Sequence, residues 1–272
     1  MQLPAVERVI YDRAPLVSVL AQVRFPTILR IGIETPVEFQ ERVRRIYPIY
    51  ALQEARGGVQ IPSQLSSLLP NLPAELAAAF QGGGSRSHRF AREDGKRFIT
   101  LSPDAMAYSD AAYEVWEVFL EELQRAEAAL RQVFEPAFYS RVGLRYQDIF
   151  RRSRIGVEHV PWRDLLNEHV LGPLADNIFA DGVAEMTGTV GLQIPSLPQG
   201  RARVQYGLVD VDGEKCFRLD VDVFTTERTK PDDAVSVFNE FNGIARGVFR
   251  HVLKPALHQA MGPKPFDGRG RE

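Results

Sequence analysis

The sequence contains very little cysteine. Its 272 residues include only Cys216, so the chain cannot form an internal disulfide framework and cannot supply a zinc site made of several thiolates. A single thiol is typical of a reducing compartment. The cytoplasm is therefore the expected localisation.

The chain also lacks an excess of charge of either sign and lacks a long hydrophobic run. Lysine and arginine total 33 against 35 aspartate and glutamate residues, a net charge of -2. This balance argues against bulk binding of nucleic acid or anionic membranes and leaves room only for a local basic patch. No stretch approaches the roughly 18 apolar residues of a membrane span, and the start has no cationic segment followed by an apolar one. We expect a soluble protein that is neither secreted nor embedded in a membrane.

Apolar material is abundant, with 44% of residues hydrophobic and 10% aromatic, which is enough for a large core.

Segments of the first half recur in the same order in the second half, and Phe98 and Phe217 have the same separation as Pro136 and Pro255. We interpret this pattern as an internal duplication. The matches are 20–25 with 141–146, the helical segments opened by Pro36 and Pro161, 59–63 with 192–196, the turns at Asp94-Gly95 and Asp212-Gly213, and 130–138 with 249–257.

Each copy is predicted to contain a strand, a helix, a strand, a hairpin and a long helix. The copies span residues 1–137 and 138–261, followed by a flexible tail at 262–272. No linker separates the copies, which predicts one shared core. The predicted fold class is α+β, with a largely antiparallel sheet arranged as one continuous sheet or as two, helices packed on one side, and a pseudo-twofold relation between the copies.

Local signals predict where individual elements lie. Thr35, Pro36 and Glu38 form the pattern of a capping box with proline at the first helical position. The Asp-Gly pairs at 94–95 and 212–213 are typical of hairpin turns. The remaining predictions are a strand at 15–25, its extension or a second short strand at 26–34, an insertion with a short helix at 63–84, and long helices at 113–134 and 231–261.

The segments PLVSVLAQVRFP, FYSRVGLRYQDIF and EFQERV carry a resemblance to a known family. Over essentially its whole length the chain resembles a sporadically distributed bacterial family of proteins of about this size, for which no activity is established. The resemblance implies a bacterial, cytoplasmic accessory protein and implies no catalytic or binding residue. In layout alone, the chain is also similar to tandem strand-helix-strand-strand proteins that bind small molecules between their repeats.

Arginines on the two matched strands are the first candidate binding residues. Alternation places Arg24, and likewise Arg141 and Arg145, on the strand face opposite the apolar residues. If the two strands lie close together, these arginines converge into a cationic patch, and a guanidinium group binds carboxylate or phosphate through two parallel hydrogen bonds. The alternative, which the sequence favours, is that each arginine pairs with an acid of the sheet or covers apolar surface with the stem of its side chain. The acids available for such pairing include Asp148, Asp220 and Asp222.

Asp220 and Asp222 are the weak candidates for a metal site. They alternate with apolar residues and therefore share one strand face, where two carboxylates can hold magnesium or perform acid-base chemistry. No third ligand follows at a recognisable spacing, so we favour a solvated or arginine-paired strand face and predict no metal site. The five histidines are scattered singly, and Cys216 has no identifiable activating partner, so an inert thiol is expected.

Three functions remain open from the sequence alone. The favoured hypothesis is a non-enzymatic protein-binding or assembly module whose partner is another protein or a second copy of the chain. The alternative is a sensor that holds an acidic small molecule between the repeats, using Arg24 or Arg145. The third is an enzyme built on dispersed acids such as Asp220 and Asp222. No catalytic signature is present, so no cofactor is predicted and a non-enzymatic role is favoured.

Overall fold

The computed structural model describes residues 6–53, 86–197 and 199–266. Within these residues, nine strands form one antiparallel sheet and the two longest helices pack on one side of it. This confirms the predicted α+β class and the single-sided placement of the helices. The expected insertion at 63–84 and the segment 59–63 lie outside the described residues.

The strands have the following bounds. They are β1 (Val9–Tyr11), β2 (Leu16–Arg24), β3 (Ile49–Gln53), β4 (Ser87–Ala91), β5 (Arg97–Ser102), β6 (Ala105–Asp110), β7 (Arg141–Phe150), β8 (Thr187–Gln193), β9 (Gly200–Val211), β10 (Glu214–Thr225) and β11 (Pro263–Pro265).

The helices are of very different lengths. They are α1 (Leu29–Ile33), α2 (Val37–Val43), α3 (Trp116–Phe134), α4 (Arg152–Ile155), α5 (Trp162–Leu165), α6 (Ala234–Val252) and α7 (Pro255–Ala260). Short 3₁₀ turns cover Glu168–Val170, Gly172–Ala175, Ala180–Gly182 and Pro231–Asp233.

The sheet is organised around the pair β2 and β7. Its strand order is β3-β4-β5-β6-β2-β7-β10-β9-β8, so the other described strands of the first half lie on one side of this central pair and those of the second half on the other. The continuous sheet, one of the two predicted arrangements, is therefore the one observed. A separate two-stranded ribbon joins β1 to β11.

The core lies between the sheet and the helices. Alternation along β2 and β7 buries Ala21 and Leu144 completely, and these two residues are directly opposite each other. The helices contribute the apolar stripe that their sequences predict, including Phe119 of α3 and Phe238 of α6. Every helix in the described ranges is too short or too polar to cross a membrane.

Both predicted hairpin turns are confirmed. Asp212 and Gly213, between β9 and β10, have φ values of 53° and 78°, and two successive positive φ angles are typical of the tight turn that favours Asp-Gly. Gly95, between β4 and β5, has φ of 66°. These turns fix the registers of the β4–β5 and β9–β10 hairpins.

The predicted helix over 231–261 is interrupted. Helix α6 ends at Val252, and α7 begins at Pro255, because proline has no N–H to donate and its ring clashes with a preceding carbonyl. The segment opened by Pro161 forms only the four-residue α5 followed by 3₁₀ turns. The helix predicted at 113–134 is present as α3.

Two local predictions near the start of the chain are wrong. Residues 29–33, expected to be extended, form α1, whose Ile31 is fully buried, so packing overrides the β preference of isoleucine. The capping box at Thr35 and Glu38 is not formed, because α2 has Pro36 at its N-cap and no side-chain cap hydrogen bond.

The predicted alignment of Phe98 with Phe217 does not match the strand order. Phe98 lies in β5, which β6 separates from β2, whereas Phe217 lies in β10, which pairs directly with β7. In the predicted tail at 262–272, Pro263–Pro265 pairs with β1 as a strand, and residues 267–272 lie outside the described ranges.

Candidate functional site

The side of the sheet away from the long helices carries most of the arginines found on strands. Direct register partners place these residues on one face, since Arg24 is opposite Arg141, and Asp222 is opposite both Arg145 and Arg203. We call this side the arginine face. Its arginines within the described strands are Arg24, Arg89, Arg141, Arg145, Arg201, Arg203 and Arg218.

Charge on the arginine face is far from balanced. At described strand positions of this face the acids are Glu214, Asp220 and Asp222, three against seven arginines, while the whole chain has a net charge of -2. Glu214 is moreover engaged by Arg151, just beyond β7, at 3.3 Å. At its strand positions, this face therefore carries more positive than negative charge, although the whole protein is nearly neutral.

Arg145 and Asp220 form a buried ion pair at the centre of this face. The Arg145 Nε donates to Asp220 Oδ1 at 2.7 Å, and the second nitrogen of the fork donates to the other carboxylate oxygen. The two side chains are 4% and 2% exposed. Gln147 adds a hydrogen bond from its amide at 3.2 Å. Asp220 thus has the bidentate partner that a buried carboxylate needs.

Arg141 forms the second pair, with Asp222. Its Nη2 donates to the two carboxylate oxygens at 3.2 and 3.0 Å, and its Nη1 donates to Gln22 at 3.0 Å. Gly143 makes room for this arrangement, because a Cβ there would lie 2.3 Å from Arg141 Nη1. Burial raises the pKa of Asp222, and the charge of Arg141 opposes that increase.

Arg24 is less well compensated. It lies directly opposite Arg141 across the β2–β7 pair, a position where like charges repel. Its closest carboxylate is Asp104, at 3.9 Å, and its Nε has no hydrogen-bond partner. The Arg24 side chain is 36% exposed, so a ligand from solution can reach it.

Arg218 is buried and makes no side-chain hydrogen bond or close ion pair among the described residues. It is 5% exposed and lies opposite Ile149 of β7 and Gly207 of β9. Its Nε has no hydrogen-bond partner. Burial lowers the pKa of Arg218, and the neighbouring Asp220 opposes that decrease. An unpaired guanidinium in this position costs stability.

The predicted candidate residues are thus brought together on adjacent strands, Arg24 on β2 and Arg141 and Arg145 on β7. Asp220 and Asp222 are occupied by arginines, and the described residues hold no group of three or more metal-ligating side chains. Sequence reasoning missed Arg89, Arg201, Arg203 and Arg218. Alternation along their strands carried the signal, but only the strand order shows that β10 pairs with β7, that β9 pairs with β10, and that β4 belongs to the same sheet.

The histidines and the cysteine form no comparable cluster. His169 stacks on His251 with ring centroids 4.8 Å apart, and Tyr11 Oη lies 2.9 Å from His258 Nδ1. Burial lowers the pKa of His169 and of His258. Cys216 is buried, and burial raises its pKa to about 11, so its thiol stays protonated and unreactive at neutral pH.

A second polar group lies under the sheet, on the helix side. Asp148 of β7 is 4% exposed, is opposite Leu219 in register, and has no hydrogen bond or ion pair within the part of the chain that is described. Burial raises the pKa of Asp148 well above its ordinary value. Nearby, Tyr146 donates to Asn242 of α6 at 2.9 Å. This side of the sheet therefore contains a buried carboxyl group that is harder to ionise than an exposed aspartate.

Comparisons of the chain with known family models, with curated proteins and with solved structures gave no match.

Proposed function

We propose that this chain is a non-enzymatic binding module whose arginine face holds an anionic ligand bearing phosphate or carboxylate groups. The ligand bridges the two halves of the chain, because Arg24 belongs to β2 and Arg141 to β7, the strands at which the halves meet. This corresponds to the anion-sensor alternative predicted from the sequence.

The observation that carries the proposal is the arrangement of Arg24 opposite Arg141. Two guanidinium groups in register repel unless negative charge lies between them. Arg141 has Asp222, whereas Arg24 has only Asp104 at 3.9 Å. Arg24 is also the more accessible of the two, and its Nε is unpartnered. A bound anion would supply the missing compensation.

The test uses Arg24→Gln, with Arg125→Gln as the matched control. Arg125 lies on the outer side of α3, where it pairs with Glu121, so the control removes the same charge from a different surface. Binding of pyrophosphate, citrate and long-chain polyphosphate is measured by calorimetry and by thermal shift. We expect at least one probe to stabilise the wild type and the control, and Arg24→Gln to weaken that binding by about tenfold.

Two results would overturn the proposal. One is the absence of binding of all three probes at millimolar concentration and low salt. The other is equal affinity of the wild type and Arg24→Gln for a probe that does bind, because that probe would then be held elsewhere.

A second candidate function, assembly with a copy of the same chain, is supported by exposed apolar residues at one corner of the molecule. Leu29 and Ile33 of α1 are 71% and 72% exposed, and Leu52 of β3 is 43% exposed. Leu52 is opposite His88, whose Nε2 lies 3.1 Å from the Ile31 carbonyl oxygen. These side chains therefore lie on neighbouring elements, and exposed apolar surface of this kind is a candidate interface.

Light scattering after size exclusion tests this candidate. A wild-type mass of two chains that falls to one chain in Leu29→Glu or Ile33→Glu, with α-helical and β-sheet content retained, would support self-association through this corner. A single-chain mass of the wild type at high concentration would contradict it.

We further propose that the two halves are related copies, with an equivalence different from that of Phe98 and Phe217. Outward from the central pair, the order is β6, β5, β4 on one side and β10, β9, β8 on the other. A helix of 19 residues follows β6 and another follows β10. Superposing β2, β6, β5 and α3 on β7, β10, β9 and α6 tests this relation.

The single free thiol supports a reducing compartment such as the cytoplasm.

A further inference from the structure

The partly exposed arginines of the arginine face are spread across the sheet instead of converging on a cavity. Arg89 lies on β4, Arg24 on β2, and Arg201 and Arg203 on β9. Small-molecule sites are concave and enclose most of their ligand. Of two shallow depressions in the described residues, one lies beside Arg8 and Phe266, away from this face, and the other, at the end of β9, includes only Arg201 among these arginines.

We propose that the anionic ligand of the arginine face is the phosphodiester backbone of a nucleic acid. The proposal rests on the proposed function and specifies its ligand. A polymer with a charge at every repeat can engage arginines on several strands at once, which a single small anion cannot do.

The dimensions of the sheet fit such a polymer. Neighbouring strands are about 4.8 Å apart, so the six intervals from β4 to β9 span roughly 29 Å. One strand of duplex DNA carries a phosphate about every 3.4 Å of helix axis. The face therefore spans about eight phosphates, enough for each partly exposed arginine to reach a different one.

Other polar side chains on the arginine face can also contact the backbone of a nucleic acid. Thr100 and Gln205, which are partly exposed, lie on the same face. Arginine, glutamine, serine and threonine are among the residues that donate hydrogen bonds to phosphate and sugar oxygens.

The aromatic rings on this face are covered by guanidinium groups. Arg89 lies 3.9 Å from the ring centroid of Phe98, and Arg141 lies 4.7 Å from that of Phe224. The excess of arginines over acids at these strand positions favours a polyanion, whose repeated negative charges can pair with several guanidinium groups. Because the rings are covered, we expect phosphate contacts to dominate over base stacking.

The experiment measures fluorescence anisotropy of labelled oligonucleotides of about 20 nucleotides, single-stranded and duplex, between 50 and 200 mM salt. Heparin and poly-glutamate are titrated in parallel as polyanions without a phosphodiester backbone. The full-length variants are Arg24→Gln, Arg89→Gln and Arg201→Gln, with Arg125→Gln as control. We expect wild-type affinity to fall with salt, and each face variant to reduce the slope of log K against log salt by about 0.7 to 0.9.

The outcomes separate this inference from the proposed function. Heparin or poly-glutamate binding without oligonucleotide binding would overturn the nucleic-acid inference and leave anion binding intact. Absence of binding to any polyanion, together with failure of pyrophosphate, citrate and polyphosphate, would overturn both. Oligonucleotide binding with the same slope in the control and in all three face variants would place the contact elsewhere and overturn the inference. If one variant unfolds, the other two still test it.

Discussion

At the scale of single residues, the pair Arg145 and Asp220 should contribute strongly to stability. Replacing Arg145 with methionine leaves Asp220, 2% exposed, without its bidentate partner, and breaking a buried pair on one side costs about 3–5 kcal/mol. We expect Arg145→Met to lower the free energy of unfolding by that amount in urea denaturation. The double variant Arg145→Met, Asp220→Leu should recover most of the loss. No recovery would mean that the pair is not the cause.

Replacing Arg218 should have the opposite effect and raise the free energy of unfolding. Its Nε is buried without a hydrogen-bond partner, so desolvation of the guanidinium opposes folding. We expect Arg218→Met, which keeps much of the side-chain volume, to raise the unfolding free energy of the ligand-free protein by roughly 1–2 kcal/mol. A decrease would show that Arg218 has a stabilising partner in solution.

The buried carboxyl group of Asp148 should make the free energy of unfolding depend on pH. Its folded-state pKa is raised by burial, whereas in the unfolded chain it titrates near about 3.9. As pH rises above that value the unfolded state loses its proton first, so the contribution of Asp148 to stability falls until the pH exceeds the folded-state pKa. We expect Asp148→Asn to be more stable than the wild type by about 1–3 kcal/mol at pH 7 and nearly equal to it at pH 4. An equal difference at both pH values, measured by urea denaturation, would contradict this.

At the scale of elements, adding a methyl group at two glycines should have opposite effects, because one glycine faces open space and the other faces a side chain. A Cβ at Gly243 in α6 would meet nothing within 4 Å, whereas one at Gly143 in β7 would lie 2.3 Å from Arg141 Nη1. Alanine favours a helix over glycine by about 1 kcal/mol. We expect Gly243→Ala to raise the melting temperature and Gly143→Ala to lower it by displacing Arg141 from Asp222. A change of the same sign in both would contradict the described packing.

The sequence predicts the elements best where one local signal dominates. The alternation of β7 and β10, the Asp-Gly turns and the apolar stripe of α3 all produce the expected structures. Prediction fails where tertiary packing decides. Residues 29–33 read as extended because they are rich in isoleucine, yet they form α1 in order to bury Ile31.

At the scale of the whole molecule, the candidate site is only partly predictable. Arg24, Arg141 and Arg145 follow from alternation on matched strands, and the sequence favoured their pairing with acids, as found for Arg141 and Arg145. The contribution of β9 could not be foreseen, because strand order depends on long-range pairing. Net charge likewise cannot reveal a face with seven arginines and three acids.

The shared core also predicts how a fragment behaves. In a chain of residues 1–137, β2 loses β7, its partner over eight register positions, and the apolar surface that continues across this pair becomes exposed. We expect the fragment to be insoluble, or compact with fluctuating packing and no cooperative thermal transition. Calorimetry and dye binding provide the test, and a sharp transition would contradict the shared core.

The central pairing of β2 with β7 also constrains the order of events during synthesis. Gln22 and Arg141, which hydrogen-bond across this pair, are 119 positions apart. At about 5–20 residues per second, a ribosome needs roughly 6–24 s to make the intervening chain. Throughout that time the nascent first half has an unpaired edge along β2, a template for association with other chains. Slow translation between the halves should therefore reduce the yield of native protein, and chaperone dependence should be greatest before β7 emerges.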